Sequence, residues 1–171
     1  NEVLDAMPVN VVCRDGASLS EQGVVVNGDG FAWAGRPLPE ALRTQIDDSY
    51  FPVPGYCTEI QFAARGFVRS LARVLERGVA LFVDYGFPRR EYYHPQRARG
   101  TLMCHYRHRA HDDPFFLPGL QDITSHIDFT AIAEAAGSSG LELLGYTNQA
   151  QFLINCGITD VLARTPAEAA R

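Results

Sequence analysis

The chain has 171 residues, 46% of them hydrophobic, and a formal net charge of −5 at pH 7. Its length suits one ordinary domain, and this apolar fraction predicts a globular core and excludes a disordered chain. No apolar run approaches the roughly 20 residues that cross a bilayer, and the negative charge argues against non-specific binding to nucleic acid, so we expect neither a membrane nor a nucleic-acid partner.

The cysteines are widely spaced and form no CxxC motif. This pattern favours reduced thiols in a cytosol-like compartment over a disulfide framework or a zinc knuckle. The first residues also lack the basic and apolar pattern of a signal peptide. We therefore expect a cytoplasmic protein in which all of the cysteines are reduced, namely Cys13, Cys57, Cys104 and Cys156.

The first segments in chain order are a loop and a β-meander. Residues 1–9 look like the end of a strand and the loop after it, and the chain begins without methionine, as though an upstream part were missing. Residues 9–35 alternate, are rich in valine and contain glycine turns, which predicts a β-meander. Residues 24–26 should pair with residues 31–33 across the turn at 27–30.

A longer helix is predicted after a proline-rich connection. Residues 35–55 contain several prolines and one short helical stretch near 38–45. Thr58 and Glu59 begin a helix whose apolar residues recur every three or four positions, and Gly78 ends it. Arginines at intervals of four line another face, which we interpret as a solvated face rather than an anion-binding stripe. They are Arg65, Arg69, Arg73 and Arg77.

Residues 79–83 form an apolar run between Gly78 and Gly86 that is too short for a free-standing helix. The run predicts a fully buried strand of a parallel sheet, and helix, glycine and strand together favour the α/β class. Asp84 and Tyr85 follow at the carboxyl end of this strand, where ligands bind in open α/β sheets. The alternative is that Asp84 only caps a turn.

The remainder of the chain is a long polar stretch followed by short elements. Residues 87–121 show no clean periodicity and are too long for an ordinary connection, which predicts a functional loop or lid. Asp128 caps a short helix that follows it. Residues 141–146 predict a strand, and residues 147–156 favour a helix over a strand. The end of the chain, 167–171, looks like a helix or a fraying tail.

Histidines and carboxylates are concentrated between residues 105 and 128, and these are the ligands that zinc, iron or manganese take. A metal-dependent hydrolase using His105, His108, His126 and Asp128 is therefore one alternative. The spacing argues against it, because the region contains prolines and has neither a helical apolar stripe nor an HExxH motif. We predict no metal site and interpret the histidines as solvated or hydrogen-bonding loop residues. The other members of the cluster are His111, Asp112, Asp113 and Asp122.

Glu2 and Asp5 are two carboxylates placed three residues apart, just after a presumed strand. Such a pair can hold a guanidinium or an amine, or act as a general base. The alternative is a pair of loop carboxylates that caps a helix. The sequence contains no GxxxxGK[ST], GxGxxG or GxSxG motif, which argues against a phosphate-binding loop and a hydrolase nucleophile elbow.

Short blocks run across nearly the whole chain, at residues 1–9, 81–86, 100–102, 122–129 and 151–153. The most specific are NEVLDAMPV and DITSHIDF. In this order they resemble the signature blocks of the MidA-like proteins, the DUF185 family of S-adenosylmethionine-dependent methyltransferases. That family includes the mitochondrial complex I assembly factor that methylates a protein arginine.

The resemblance implies a class I methyltransferase fold with a Rossmann-like sheet, in which residues 79–83 are the fifth strand and residues 87–127 are an insertion near the substrate. It implies S-adenosylmethionine as cofactor, a protein arginine as substrate, a respiratory-complex subunit as one candidate partner, and a mitochondrial matrix location in eukaryotic relatives. Glu2 and Asp5 would orient the guanidinium. The other implied pocket residues are Asn1, Asp84, Tyr85, Gly86, Asp122, Thr124, His126 and Asp128.

The same resemblance implies that residues 1–171 are the C-terminal portion of a single methyltransferase domain. The family's glycine-rich cofactor loop and its ribose-binding acid lie upstream of the block at residues 1–9. We therefore predict that this chain alone does not bind S-adenosylmethionine tightly. The rival from another class of function is a non-catalytic binding or assembly module, in which the Arg- and His-rich loop docks a partner protein.

Overall fold

The structure is a computed structural model that describes residues 2–164. Its contacts divide the chain into two compact units, 1–141 and 142–171, and each is described by itself below. The predictions for Asn1 and for the terminal segment 167–171 lie outside the described residues.

The predicted β-meander is confirmed. Three antiparallel strands, β1 (Asn10–Asp15), β2 (Ser18–Asn27) and β3 (Gly30–Pro37), are joined by β4 (Cys57–Ile60) in the order β3-β2-β1-β4. The register across the second turn is the predicted one, with residues 24–26 opposite residues 33–31. Gly28 in that turn has φ +60°, a backbone conformation that suits the tight turns of β-hairpins.

Cys13 and Cys57 are directly opposite each other on β1 and β4 and form a disulfide. The prediction of four reduced cysteines is therefore wrong for this pair. The two residues are 44 positions apart in sequence, and only the pairing of β1 with β4 brings them together. Cys104, which is buried, and Cys156, which is exposed, are free thiols.

The longer helix begins later than predicted. A single turn, α1 (Glu40–Arg43), lies in the proline-rich connection, and α2 spans Phe62–Val74. The helix begins after Gln61 because the four residues before it pair with β1 as strand β4. The prediction that all four arginines of this helix face solvent is wrong for the first of them. Arg65 is buried on the side that packs toward α4 (Phe129–Gly137).

The predicted strand at residues 79–83 is not a buried strand. No strand ladder of the described residues includes it, and Val79 and Leu81 are 74% and 62% exposed. A buried parallel strand needs hydrogen-bonding neighbours and covered faces, and the described part of the chain supplies little of either. Its contacts are a backbone hydrogen bond from Glu2 to Val83 and packing of Phe82 against α2.

Strand pairing begins directly after this run. Gly86 and Phe87 form β5 (Gly86–Phe87), which pairs in parallel with β9 (Ile127–Asp128). Any Cβ at position 86 would lie 2.3 Å from the Ile127 carbonyl oxygen, so the close approach of the two strands requires glycine here. The pairing places the segment after Asp84 beside the segment that precedes α4.

The region 87–127 contains regular structure where the sequence predicted an irregular loop. It comprises α3 (Arg89–Tyr92) and an antiparallel sheet of β6 (Met103–Tyr106), β7 (Arg109–His111) and β8 (Asp122–Thr124) in the order β7-β6-β8. These strands have three or four residues each, too few for a clear alternation in the sequence.

Helix α4 follows Asp128 as predicted, and the Asp128 side chain accepts the Ala131 N–H at its start. Two buried apolar clusters hold this unit together. One lies between the meander and α3 and contains Val12, Ile46, Tyr50, Phe51, Tyr56, Ile60, Tyr92 and Tyr93. The other joins the first residues of the chain to α2 and α4 and contains Leu4, Ala64, Val68, Ile127, Ile132 and Ala135.

The second unit consists of α5 (Gln149–Asn155) and α6 (Ile158–Arg164). The helix favoured over residues 147–156 is confirmed, and the Asn148 side chain caps it by accepting the Gln151 N–H. The strand predicted over 141–146 is absent from the described structure, where Leu143 and Leu144 are exposed. Among the described helices, none has the length and apolar character to cross a membrane.

Candidate functional site

A cavity of about 560 Å³ lies within the first unit, between the first residues of the chain, the segment before β5 and the sheet β7-β6-β8. Its walls include most of the predicted site residues: Glu2, Asp5, Tyr85, Asp122, Thr124 and His126. Residues that the sequence analysis did not assign to the pocket also line it, among them Arg97, Gly100, Thr101, Leu102, Met103 and Ser125.

Asp84 does not line this cavity but supports it. Its carboxylate accepts the backbone N–H groups of Val3, Leu4 and Asp5 at 3.4, 3.2 and 3.4 Å. The Glu2 N–H donates to the Val83 carbonyl at 2.7 Å, and Glu2 has φ 49°, an uncommon conformation for a residue other than glycine. Asp84 thus caps a turn, as the alternative proposed, and this turn carries both predicted catalytic carboxylates.

Asp5 has the most perturbed carboxyl group of the cavity. It is 5% exposed, and burial, followed by the adjacent Asp84 carboxylate, raises the pKa of Asp5 to about 6. Its Oδ1 atom is buried and accepts no N–H group among residues 2–164, and its carboxyl group adjoins that of Asp84. A carboxylate with this pKa and a free oxygen can accept a proton or hold a cation near neutral pH.

Ser125 and His126 carry two more buried polar atoms, Oγ and Nδ1, that lack partners within the described part of the chain. Burial, followed by the Arg97 charge, lowers the pKa of His126, so its imidazole is neutral at pH 7. The backbone of His126 is held on both sides: its N–H donates to Thr101 Oγ1 and its carbonyl accepts from Gln61 Nε2, each at 3.0 Å. Unpartnered buried polar atoms that gather at one cavity indicate a polar ligand there.

Glu59 on β4 holds the cavity wall and was missed by the sequence analysis. Its buried carboxylate accepts the N–H groups of Thr101 and Leu102 at 2.9 and 3.1 Å, the Thr101 hydroxyl at 3.0 Å and the Tyr92 hydroxyl at 3.3 Å. A Cβ at Gly100 would lie 2.1 Å from Glu59 Oε1. The sequence assigned Glu59 to a helix start, and no local pattern links it to Thr101, 42 residues away.

Arg97 places a guanidinium group in the wall of the cavity. It packs over the Phe87 ring, 4.0 Å from the centroid, and donates to the Glu91 carbonyl. The same Phe87 ring contacts the edge of the His126 imidazole. Since Glu2, Asp5 and Asp122 line the same space, carboxylates outnumber guanidinium groups among the lining residues, and the cavity favours a cationic ligand.

Two predicted pocket residues lie behind the wall. Gly86 is in β5 against Ile127, and Asp128 is fully buried at the start of α4. Asp128 also accepts a hydrogen bond from Arg89 at 3.2 Å, and Arg89 pairs in addition with Glu134. In this position Asp128 joins α3 to α4 and does not line the cavity.

The residues of the metal alternative are not brought together. His105 and His126 line the cavity, whereas His108 and Asp128 do not. Within residues 2–164 no group of three or more His, Cys, Asp or Glu side chains could hold a metal ion. His111, the last residue of β7, accepts the Asp113 N–H at 3.3 Å.

Comparisons with known proteins agree with this architecture. The chain is 52% identical to a COG1565 superfamily protein from Burkholderia thailandensis of known structure, with a TM-score of 0.91 over 98% of this chain and 45% of that one. It is 54% identical to a second COG1565 superfamily structure from the same organism, bound to S-adenosyl-homocysteine, with a TM-score of 0.90 over 99% of this chain and 44% of that one. The predicted α/β class and the predicted resemblance are confirmed.

A curated relative is the mitochondrial protein arginine methyltransferase NDUFAF7 of Danio rerio, 29% identical over 164 residues. The match covers 92% of this chain and 36% of that protein, so the chain spans between a third and a half of the length of the relatives it matches. A family model described as S-adenosyl-L-methionine-dependent methyltransferase matches residues 1–147. The chain therefore belongs to this family of S-adenosylmethionine-dependent methyltransferases.

Proposed function

We propose that this chain forms the methyl-acceptor side of a methyltransferase that modifies arginine side chains of proteins. The observation that carries the proposal is Asp5, a buried carboxylate with a raised pKa and an unpartnered Oδ1, in a cavity where carboxylates predominate. An arginine guanidinium is a cation whose planar N–H groups match carboxylate oxygens. The name of the zebrafish relative, a protein arginine methyltransferase, agrees with this substrate.

S-adenosylmethionine fits the chemistry of the cavity, because its sulfonium is a cation and the lining residues include Glu2, Asp5 and Asp122. Among the described residues, Glu2 and Tyr85 would contact it, since both line the cavity beside Asp5. When bound, the cofactor supplies an electrophilic methyl group. The sequence contains no GxGxxG motif, so we do not assign the nucleotide part of the cofactor to residues of this chain.

The roles of the chain's own residues follow from their charge and position. Ionised Asp5 would accept at Oδ1 an N–H of the guanidinium nitrogen that reacts, and Glu2 would accept an N–H of a second nitrogen, so that the reacting nitrogen directs its lone pair at the methyl group. The nitrogen that gains the methyl group must lose a proton, and Asp5 Oδ1 is the acceptor that the site offers. Because Asp84 and the backbone hydrogen bonds hold the turn at residues 2–5, this arrangement is preorganised, and orientation supplies most of the rate enhancement.

The test uses the protein expressed from its full reading frame, titrated calorimetrically with S-adenosylmethionine and assayed for transfer of labelled methyl groups to an arginine peptide. We expect Asp5→Asn to bind the cofactor nearly as well as wild type while transfer falls roughly 10²–10⁴-fold. Asp29→Asn, which changes an exposed carboxylate in the β2–β3 turn, is the matched control and should change neither quantity. Unchanged transfer in Asp5→Asn, or loss of cofactor binding with normal folding, would refute the assignment of Asp5.

A further inference from the structure

A second, smaller cavity of about 210 Å³ adjoins the first. Asp5, Leu102, Thr124 and Ser125 line both cavities, so the two spaces meet at these side chains. Both cavities lie within the first unit of the chain. The turn after Glu2, strand β8 and Ser125 directly after that strand form the walls between them.

The two cavities differ in chemistry. The walls that belong to the smaller one alone are Ala6, Met7, Pro8, Val9 and Ile123, and none of these side chains is charged or can form a hydrogen bond of ordinary strength. The larger cavity contains the carboxylates and Arg97. A ligand that fills both therefore has a cationic group joined to an apolar group.

The shared wall contains two buried polar atoms without partners among residues 2–164, Asp5 Oδ1 and Ser125 Oγ. Ser125 is 2% exposed and Asp5 is 5% exposed, so both are costly to leave unsatisfied. Ser125 is held in place by its own N–H, which donates to the Asp5 carbonyl at 2.9 Å. A hydroxyl can both accept and donate, as the N–H and C=O groups of a peptide backbone require.

We propose that the smaller cavity is a specificity subsite for an aliphatic side chain that lies within two residues of the modified arginine, and that Ser125 binds the peptide backbone between the two side chains. The inference rests on the proposed function, because it takes the cation in the larger cavity to be an arginine guanidinium. In an extended peptide, a residue one or two positions from the arginine lies close to it in space. One bound segment therefore places the arginine and an aliphatic side chain in adjoining cavities. The small cavity then excludes polar neighbours, since their hydrogen bonds to water would be lost there without replacement.

The experiment measures binding of two short blocked peptides to the protein expressed from its full reading frame and saturated with S-adenosylhomocysteine. In one peptide, a single arginine is flanked on each side by two leucines, and in the other by two serines. We expect the leucine peptide to bind about tenfold or more tightly, the size of effect that burial of one aliphatic side chain produces. Direct binding is chosen because it does not depend on methyl transfer.

Variants assign the preference to the subsite. Ile123→Thr keeps a β-branched side chain on β8 and should reduce the preference for leucine over serine severalfold. Val25→Thr is the matched control, a β-branched change on β2 in a residue that lines neither cavity, and should leave the preference unchanged. Ser125→Ala should weaken both peptides by a similar factor, because it removes a backbone contact that they share.

The possible results separate the subsite from the proposed function. A leucine preference that falls in Ile123→Thr and persists in Val25→Thr supports the subsite, whether or not the peptides are methylated. Equal affinities for the two peptides in wild-type protein overturn the subsite, and if both are methylated the proposed function stands. If neither peptide binds and neither accepts a methyl group, the subsite and the proposed arginine substrate are overturned together.

Discussion

The substitution Glu59→Gln tests whether a buried carboxylate holds the wall of the cavity. Four donors point at this carboxylate: the N–H groups of Thr101 and Leu102 and the hydroxyl groups of Thr101 and Tyr92. Glutamine keeps one acceptor oxygen but replaces the other with an NH₂ group, which is itself a donor. The Thr101 and Leu102 N–H groups both reach Oε1 at 3.1 Å and keep that acceptor, whereas the two hydroxyl groups that donate to Oε2 lose theirs, at a cost of roughly 1–3 kcal/mol.

A second effect opposes this loss. Burial is the largest influence on Glu59 and raises its pKa, so the ionised carboxylate is destabilised by its removal from water. Glutamine relieves that penalty because it is neutral. We expect the lost hydrogen bonds to prevail, because the NH₂ group cannot accept from the Thr101 and Tyr92 hydroxyl groups that donate to Oε2, and we estimate a net loss of about 1–3 kcal/mol in the free energy of unfolding. Glu59→Ala, which leaves all four donors without this acceptor, should cost more than Glu59→Gln, because each buried donor left unsatisfied costs roughly 1–3 kcal/mol.

The assay is urea denaturation of the protein from its full reading frame, together with hydrogen exchange of the Thr101 and Leu102 amides. Glu40→Gln is the matched control, because Glu40 is exposed at the start of α1, and it should change the free energy of unfolding by less than about 0.5 kcal/mol. Both Glu59 variants should also increase exchange at residues 101 and 102. Stability and exchange equal to those of Glu40→Gln would refute the role given to this carboxylate.

Three further predictions concern the site and its framework. The pKa of Asp5 is raised to about 6, and the proposed reaction uses its ionised form, so methyl transfer should increase with pH around a midpoint near 6. Asp84→Asn should move that midpoint to lower pH in a pH–rate profile, because one cause of the raised pKa is removed. Gly86→Ala should lower the free energy of unfolding by about 1–3 kcal/mol in urea denaturation because its Cβ would meet backbone atoms. Gly66→Ala, in α2 with open space around the new Cβ, should instead raise it by about 0.4–1 kcal/mol, and equal effects of the two changes would contradict the model of the β5–β9 contact. Cys13→Ser should remove a disulfide-linked peptide from a non-reduced mass-spectrometric map and lower the melting temperature, and a free thiol at position 13 in wild-type protein would contradict the disulfide.

Local signals in the sequence were sufficient for several parts of the site. The spacing of Glu2 and Asp5 left their role open, and the family resemblance implied that they orient the guanidinium; the structure places both in the cavity wall. The position of Asp84 after an apolar run predicted that it lies at a ligand-binding strand end, and the resemblance implied that it belongs to the same pocket. The helix cap at Asp128 was predicted because capping depends on residues that are adjacent in sequence.

The parts that were missed depend on residues far apart in sequence. The support that Glu59 gives to Thr101 could not be predicted, because the polar partners of a buried carboxylate are set by which strands and loops meet. Ser125 had no special signal, since a serine in a polar stretch is ordinary until its hydroxyl is buried. The smaller cavity likewise exists only where the turn after Glu2 meets β8.

The sequence by itself determined the β-meander, the helices α4 and α5, and the family to which the chain belongs, because alternation, caps and signature blocks act over short distances. Only the tertiary structure decided which residues are buried together. It showed that residues 79–81 are exposed and residues 82 and 83 half-buried, that Cys13 bonds Cys57, and that two cavities of different chemistry share Asp5. Burial and long-range pairing are properties of neighbours in space, and a linear pattern of residues does not specify those neighbours.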